Sequence, residues 1–255
     1  KMRILIITQN EPFFLAKNLR YLIKILPKHS QIIGAVVTSP SPFGKKESFI
    51  DKARRTYNVF GIKFFLFYSF KYLKNIFDQN SKVKNVFKEN KIVEVNLNKH
   101  INHPESISII KEFEPDLLVS ILGNEIFKKP IINLAKKGCI NLHTALLPKY
   151  RGLMPSFWVL KNNEEFTGVS VFFVDEGIDS GPIIVQKKVK INDFTQQQLI
   201  KITKKIGMDA IAEAIDLIEN NNFDLIENDD SKKTYFSFPT RSDVKDFYNK
   251  GKKFF

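Results

Sequence analysis

The sequence predicts a doubly wound, mostly parallel α/β sheet. Short β-branched runs alternate with amphipathic helical patterns, several of those runs are apolar on both faces, and polar residues gather where strands end. The chain has 255 residues, 43% of them hydrophobic, which is enough core for one large domain or one domain plus a small appendage. Such a composition excludes a disordered chain.

Taken in order, Met2 to Thr8 reads as a buried strand, followed by Pro12 and a helical pattern from Phe14 to Leu26. Gln31 to Thr38 is the next strand. The Ser39-Pro40-Ser41-Pro42 cluster then forces an extended loop, because each proline drives its predecessor out of the helical region. From Lys45 to Phe87 the pattern becomes charged, aromatic-rich helix, read as a helical insertion over about 45–90. Within its 59–72 stretch crowd Phe60, Phe64, Phe65, Phe67, Tyr68, Phe70 and Tyr72. No apolar run there reaches the ~18 to 20 residues that cross a bilayer, so no transmembrane segment is expected. The block is read as helices that cover the sheet or line a homodimer contact, with interfacial membrane contact the competing reading.

Ile92 to Val95 supplies another strand, Ser106 to Phe113 a helix, and Pro115 to Ile121 a strongly apolar strand. Ile131 to Lys136 reads as helix with Gly138 as its stop, and Cys139 to His143 as strand. Pro155 starts a helix through Trp158 and Leu160. Gly168 to Val174 and Pro182 to Val189 read as the two arms of a hairpin.

The net charge of +13 raises the question of nucleic acid. Of the 40 basic residues 34 are lysine and 6 arginine, spread along the chain, whereas phosphate forks and base edges favour arginine. A solvated lysine surface is the expectation, and no nucleic-acid partner is expected. The single cysteine, Cys139, cannot close an internal disulfide, and Ile4 to Ile7 is too short for a signal-peptide core, so the cytoplasm is the expected compartment. With one thiol no thiolate metal cluster is expected, and no metal site is predicted.

Chemistry concentrates after the Cys139 strand. Residues two apart on a strand share a face, so Asn141 and His143 project together while Ile140 and Leu142 pack on the opposite side. Ligands of such sheets sit at the carboxyl ends of the strands, where both polar groups lie. The hairpin loop Asp175-Glu176-Gly177-Ile178-Asp179-Ser180-Gly181 carries three carboxylates and two glycines, and glycine permits the positive dihedrals of an irregular binding loop. Singly, each of these residues has an ordinary structural reading: a hydrogen-bonded histidine, a capping asparagine, a turn aspartate.

Jointly, Asn141-x-His143, then Leu146-Leu147-Pro148 and Gly152, then Asp179 in an acidic glycine loop, resemble the folate-dependent formyltransferase family. That family includes glycinamide ribonucleotide transformylase, methionyl-tRNA formyltransferase and the sugar-nucleotide N-formyltransferases. The resemblance covers roughly residues 1–44 and 90–220 and is strongest over 116–186. It implies a Rossmann-like sheet of the formyltransferase type, a catalytic domain over 1–220 and a short C-terminal extension over 221–255. Ala145 departs from the pattern, which usually has serine there, so a hydroxyl that helps order the loop is missing.

The resemblance implies Asn141, His143 and Asp179 as the catalytic residues and N10-formyltetrahydrofolate as formyl donor. Moving a formyl group to an amine passes through a tetrahedral carbon with a developing oxyanion, which Asn141 and His143 can stabilise while Asp179 serves the proton side. Asn124, Glu125, Ile126 and Phe127 would hold the pterin on one side, and Asp175, Glu176 and Ile178 would form the other wall. The first turn, Thr8-Gln9-Asn10-Glu11-Pro12, has no glycine to cradle a ribotide phosphate, and only about 35 residues follow Asn220, which leaves little room for a tRNA-handling domain. Thr234 to Asp243, with Arg241, loosely resembles a segment of the sugar-nucleotide enzymes. A nucleotide-linked amino sugar is therefore the expected acceptor. Alternatives are another small amine, a formyltetrahydrofolate hydrolase, and a non-catalytic nucleotide- or nucleic-acid-binding scaffold. Hydrolase relatives usually carry an additional amino-terminal domain, whereas the first strand here begins at residue 2.

Overall fold

The computed structural model describes residues 1–39, 48–123 and 125–255. Pro40, Ser41 and Pro42 of the predicted extended loop, Lys45 at the start of the insertion, and Asn124 lie outside the described residues.

Among the described residues seven strands form one sheet: β1 (Met2–Gln9), β2 (Ser30–Thr38), β3 (Val93–Glu94), β4 (Leu117–Ile121), β5 (Cys139–His143), β7 (Phe166–Phe173) and β8 (Ile183–Lys190). A two-residue β6 (Arg151–Gly152) lies outside it. The order is β3-β2-β1-β4-β5-β7-β8, and only β7 runs against its neighbours. The predicted fold class is the one observed. Strand β1 shows why the apolar pattern is so clear. Ile4 and Ile6 pack into one core while Leu5 and Ile7 pack into the other, so the run is apolar without alternation.

Helices α1 (Leu15–Ile25), α4 (Val83–Glu89) and α8 (Gln196–Glu219) cover the first face, and α5 (Pro104–Glu112) with α6 (Lys129–Ile132) covers the second. The 24-residue α8 is absent from the elements read in the sequence. Its buried stripe runs through Thr203, Gly207, Ala210 and Ala214, small residues that dilute a hydrophobic period. Its start is well marked, since Thr195 and Gln198 form a reciprocal capping box. Gly207 lets this helix approach β5: a Cβ there would stand 2.6 Å from the Leu142 side chain.

Helices α2 (Phe49–Phe60) and α3 (Ile62–Phe77) fill most of the stretch between β2 and α4. Their fates divide the aromatic block. Phe60 and Phe64 stack 4.3 Å apart and join Phe157, Phe247 and Phe254 in a third core. That core binds α7 (Pro155–Lys161) and α9 (Arg241–Asn249) to α2 and α3. Phe67 stacks on Phe255 at 4.0 Å, whereas Phe70 is left in solvent.

Beyond α8 the chain returns to the sheet. Ile226 bridges Ile183, and β9 (Tyr235–Phe236) pairs with β6, where Gly152 (φ +95°) has no room for a Cβ beside the Phe236 carbonyl. No described helix is long and apolar enough to cross a membrane.

Candidate active site

Strand β5 delivers Asn141 and His143 to one face at its carboxyl end, as the two-residue spacing requires, while Ile140 and Leu142 enter the opposite core. His143 is buried, and its Nε2 lies 2.7 Å from the Tyr150 carbonyl oxygen. A carbonyl can only accept, so Nε2 carries the hydrogen and the lone pair of the neutral ring is on Nδ1. That nitrogen faces Asp179 Oδ2 at 3.6 Å.

Asp179 reaches this position because the connection 174–182 folds back along β5. Val174 N–H bonds the Cys139 carbonyl at the start of the strand, yet five residues later Asp179 meets His143 at its end. The glycines serve this path differently from the expectation. Neither Gly177 nor Gly181 has positive φ; Asp179 itself does, at +49°. What Gly181 supplies is closeness, since a Cβ would stand 1.7 Å from the Phe173 carbonyl oxygen. Asp179 Oδ2 accepts from Gly152 N–H at 2.9 Å, which aims the carboxylate at the imidazole.

The loop between His143 and Gly152 is ordered without a hydroxyl at Ala145. Ser170 Oγ on β7 donates to the Ala145 carbonyl at 2.7 Å and accepts from Leu147 N–H, and Gln186 on β8 donates to the Leu147 carbonyl at 3.0 Å. Tyr150 is held as firmly. Its N–H donates to Thr234 Oγ1 at 2.8 Å and its hydroxyl to Glu164 at 2.6 Å. Burial, reinforced by that carboxylate, pushes the phenol up to about 12, so it stays a neutral donor.

Asn228 ties the second half of the site. Its Nδ2 donates 2.9 Å bonds to the carbonyls of Asp179 and Gly181, and its Oδ1 accepts from the buried guanidinium of Arg151. Tyr150, Thr234 and Asn228 escaped the sequence reading. Tyr150 and Asn228 act through main-chain groups, and Asn228 sits in a polar Glu-Asn-Asp-Asp run that carries no periodic signal.

Asn141, His143 and Asp179 open together into a cavity of about 1440 Å³. One wall contains Leu122, Glu125, Ile126 and Phe127, and Asp175 and Ile178 lie on another. Phe127 is a buried core residue, and Glu125 accepts from Ile101 N–H at 2.9 Å, so it braces the wall. Asp175 accepts from Gly177 N–H and Ser180 Oγ within its own loop. Glu176 does not face the cavity. It is exposed and pairs with Lys129 at 3.3 Å on the surface, because the fold-back turns it away from β5. Helix α3, not foreseen as part of the site, supplies another wall through Phe65, Tyr68 and Tyr72. Arg241 lies outside the cavity and donates to the Asn58 carbonyl.

The first turn also faces the cavity through Gln9, Asn10 and Pro12. Glu11 folds onto the start of α1, its two oxygens accepting from Phe13, Phe14 and Leu15 N–H at 2.8 to 2.9 Å. A carboxylate built into the chain thus takes the donors that a helix N-terminus would offer an anion. Cys139 is buried and free, with its thiol pushed up by desolvation.

A family model described as formyl transferase matches residues 72–215, more than half of the sequence. The chain belongs to the formyl transferase family. Among curated formyltransferases, the methionyl-tRNA formyltransferase of Alkaliphilus oremlandii is 38% identical over 133 residues, 52% of this chain and 43% of its own. That of Thermodesulfovibrio yellowstonii is 41% identical over 111 residues, 43% of this chain and 36% of its own. The aligned region is thus less than half the length of these curated relatives. Solved formyltransferases share the fold. A Helicobacter canadensis N-formyltransferase in complex with folinic acid and dTDP-3-aminofucose superposes with a TM-score of 0.59 at 21% identity, covering 95% of this chain and 72% of that one. An Anaplasma phagocytophilum phosphoribosylglycinamide formyltransferase gives a TM-score of 0.64 at 15% identity, covering 94% and 100%.

Proposed function

We propose that this formyltransferase moves a formyl group from N10-formyltetrahydrofolate to the amine of a nucleotide-linked amino sugar. The observation that carries the transfer reaction is the meeting of Asn141, His143 and Asp179 in one cavity, with His143 Nδ1 directed at Asp179. The residues present fit a folate. Leu122, Ile126, Phe127 and Ile178 offer apolar surface, and Asn141 Oδ1 is buried with no hydrogen-bond partner among the described residues, an acceptor to which a ligand can donate. When bound, the folate supplies an activated formyl carbon.

The chain's own residues supply the rest. The Asn141 amide donates to the formyl oxygen as charge develops on it, a contribution of roughly 10² to 10³ in rate. Nδ1 of His143 would take the proton that the attacking amine must shed and return it to the folate nitrogen that leaves as its bond to the formyl carbon breaks. Asp179 stabilises the imidazolium so formed, and the Tyr150 carbonyl keeps the other ring nitrogen in place.

The acceptor assignment rests on a different residue. Glu11 occupies the α1 donors, which disfavours an acceptor whose phosphate must sit there, as a ribotide would. The Helicobacter canadensis structure with an amino-sugar nucleotide supports the alternative. A second reading, formylation of an aminoacyl-tRNA, draws on the identity with methionyl-tRNA formyltransferases. Turnover assays with N10-formyltetrahydrofolate separate the readings. Product with a nucleotide-linked amino sugar supports the first, product only with methionyl-tRNA the second, and formate release without acceptor a hydrolase. No turnover in any arm rejects the transferase reading.

A further inference from the structure

Helix α3 leaves a continuous apolar stripe in solvent. Ile62, Leu66, Phe70, Leu73 and Phe77 are 52%, 58%, 73%, 54% and 79% exposed. At about 100° per residue these five fall within an arc of about 80° on the helix. Lys63 and Lys74, both exposed, lie just beyond one border of that arc. Along the other border Phe65, Ser69 and Ile76 turn into the cavity. Single exposed apolar side chains are ordinary, but five in register on one helix are not.

We infer that this face docks on an anionic lipid surface, with α3 lying in the plane of the interface. Charge complementarity selects that occupant. Helix α3 has no Asp or Glu, and its charged residues are Lys63, Lys71 and Lys74. The carboxylates at the ends of the segment are engaged locally. Asp51 accepts from the Ser48 hydroxyl, and Asp78 accepts from Asn80 N–H and Ser81 Oγ. An apolar stripe edged by lysines matches the acyl boundary beneath negative headgroups.

Length fits the same geometry. Sixteen residues of helix span about 24 Å, short of a hydrocarbon core of about 30 Å, so the helix lies on the membrane and does not cross it. A second copy is a poorer occupant. In an antiparallel two-fold pairing through this face the row of lysines meets its own image, and α3 offers no carboxylate to neutralise it. Docking has a consequence for the site, because Phe49 and Leu73 are exposed and also line the cavity. The cavity mouth is thereby brought to the lipid surface.

The test uses the full chain and sedimentation with vesicles, and it reads binding without turnover, so its outcome is independent of the proposed reaction. Vesicles of phosphatidylcholine and phosphatidylglycerol in equal parts are compared with phosphatidylcholine alone at low salt. Wild type is expected to bind the anionic vesicles at least about tenfold more tightly. Phe70→Ser with Phe77→Ser, and separately Lys63→Glu with Lys74→Glu, are each expected to lose about tenfold or more. The lysine pair guards against a folding defect, and circular dichroism verifies both variants. Wild type remaining in the supernatant with anionic vesicles overturns the inference, as does equal binding by the charge-reversed protein. A dimer in light scattering that the serine variant dissolves would assign the face to a second copy and overturn it too.

Discussion

His143 Nε2 and the Tyr150 carbonyl oxygen, 2.7 Å apart and buried, define the proton inventory of the site. Because the carbonyl has no hydrogen to give, the imidazole presents its basic nitrogen to Asp179 and to the cavity. His143 on β5, Asp179 on the fold-back loop and Tyr150 beyond the strand are held to that purpose by hydrogen bonds.

Asn141→Ala removes the side-chain amide from the cavity without touching the ladder of β5. The expected result is a fall in turnover of roughly 10² to 10³ with an unchanged melting transition. Steady-state kinetics alongside thermal unfolding would check it, and turnover within a few-fold of wild type would remove Asn141 from the reaction.

Asn228 is a positioning residue, since its amide holds the Asp179 and Gly181 carbonyls while Arg151 holds its oxygen. Asn228→Ala should lower kcat by about tenfold or more with KM for the folate changed far less, because a misplaced Asp179 weakens the reaction more than ground-state binding. Asn228→Gln, which keeps the amide, should recover part of the loss. A rise in KM alone would mean that the contact serves only folding or binding.

How much of this was legible depends on which chain atoms do the work. The strand spacing of Asn141 and His143 and the acidic loop carrying Asp179 were readable, because side-chain identity and strand period specify them. The rest works through backbone atoms, which any residue type supplies: the Tyr150 carbonyl, Gly152 N–H, and the carbonyls grasped by Asn228. Gly181 was visible as a glycine, yet its reason, contact with the Phe173 carbonyl, depends on a fold-back that no local pattern announces. The aromatic block between Phe60 and Tyr72 was visible as well, but its division among core, cavity and solvent needed the positions of α7 and α9.

Glu11→Ala should expose the α1 donors. Loss of the cap is expected to destabilise the protein by about 1 kcal/mol. Added sulfate or phosphate should then restore stability to the variant and leave wild type unmoved, since only the variant offers free donors at that terminus. Equal responses of the two proteins would show that Glu11 does not occupy an anion position.

Gly207→Ala places a methyl group 2.6 Å from Leu142 and pushes α8 away from the strand that carries the site. Overpacking of this kind costs about 1 to 3 kcal/mol, so a lower Tm is expected together with reduced turnover. An unshifted Tm would mean that α8 and β5 are less tightly packed than the close approach implies.

The central claim, that His143 moves the proton in formyl transfer, is tested most directly by turnover of His143→Asn beside wild type, with folate affinity measured on the same samples. N10-formyltetrahydrofolate and the pooled amine acceptors serve as substrates. The expected result is folate affinity within a few-fold of wild type and turnover lower by at least about 10². Turnover by the variant close to that of wild type would contradict the claim.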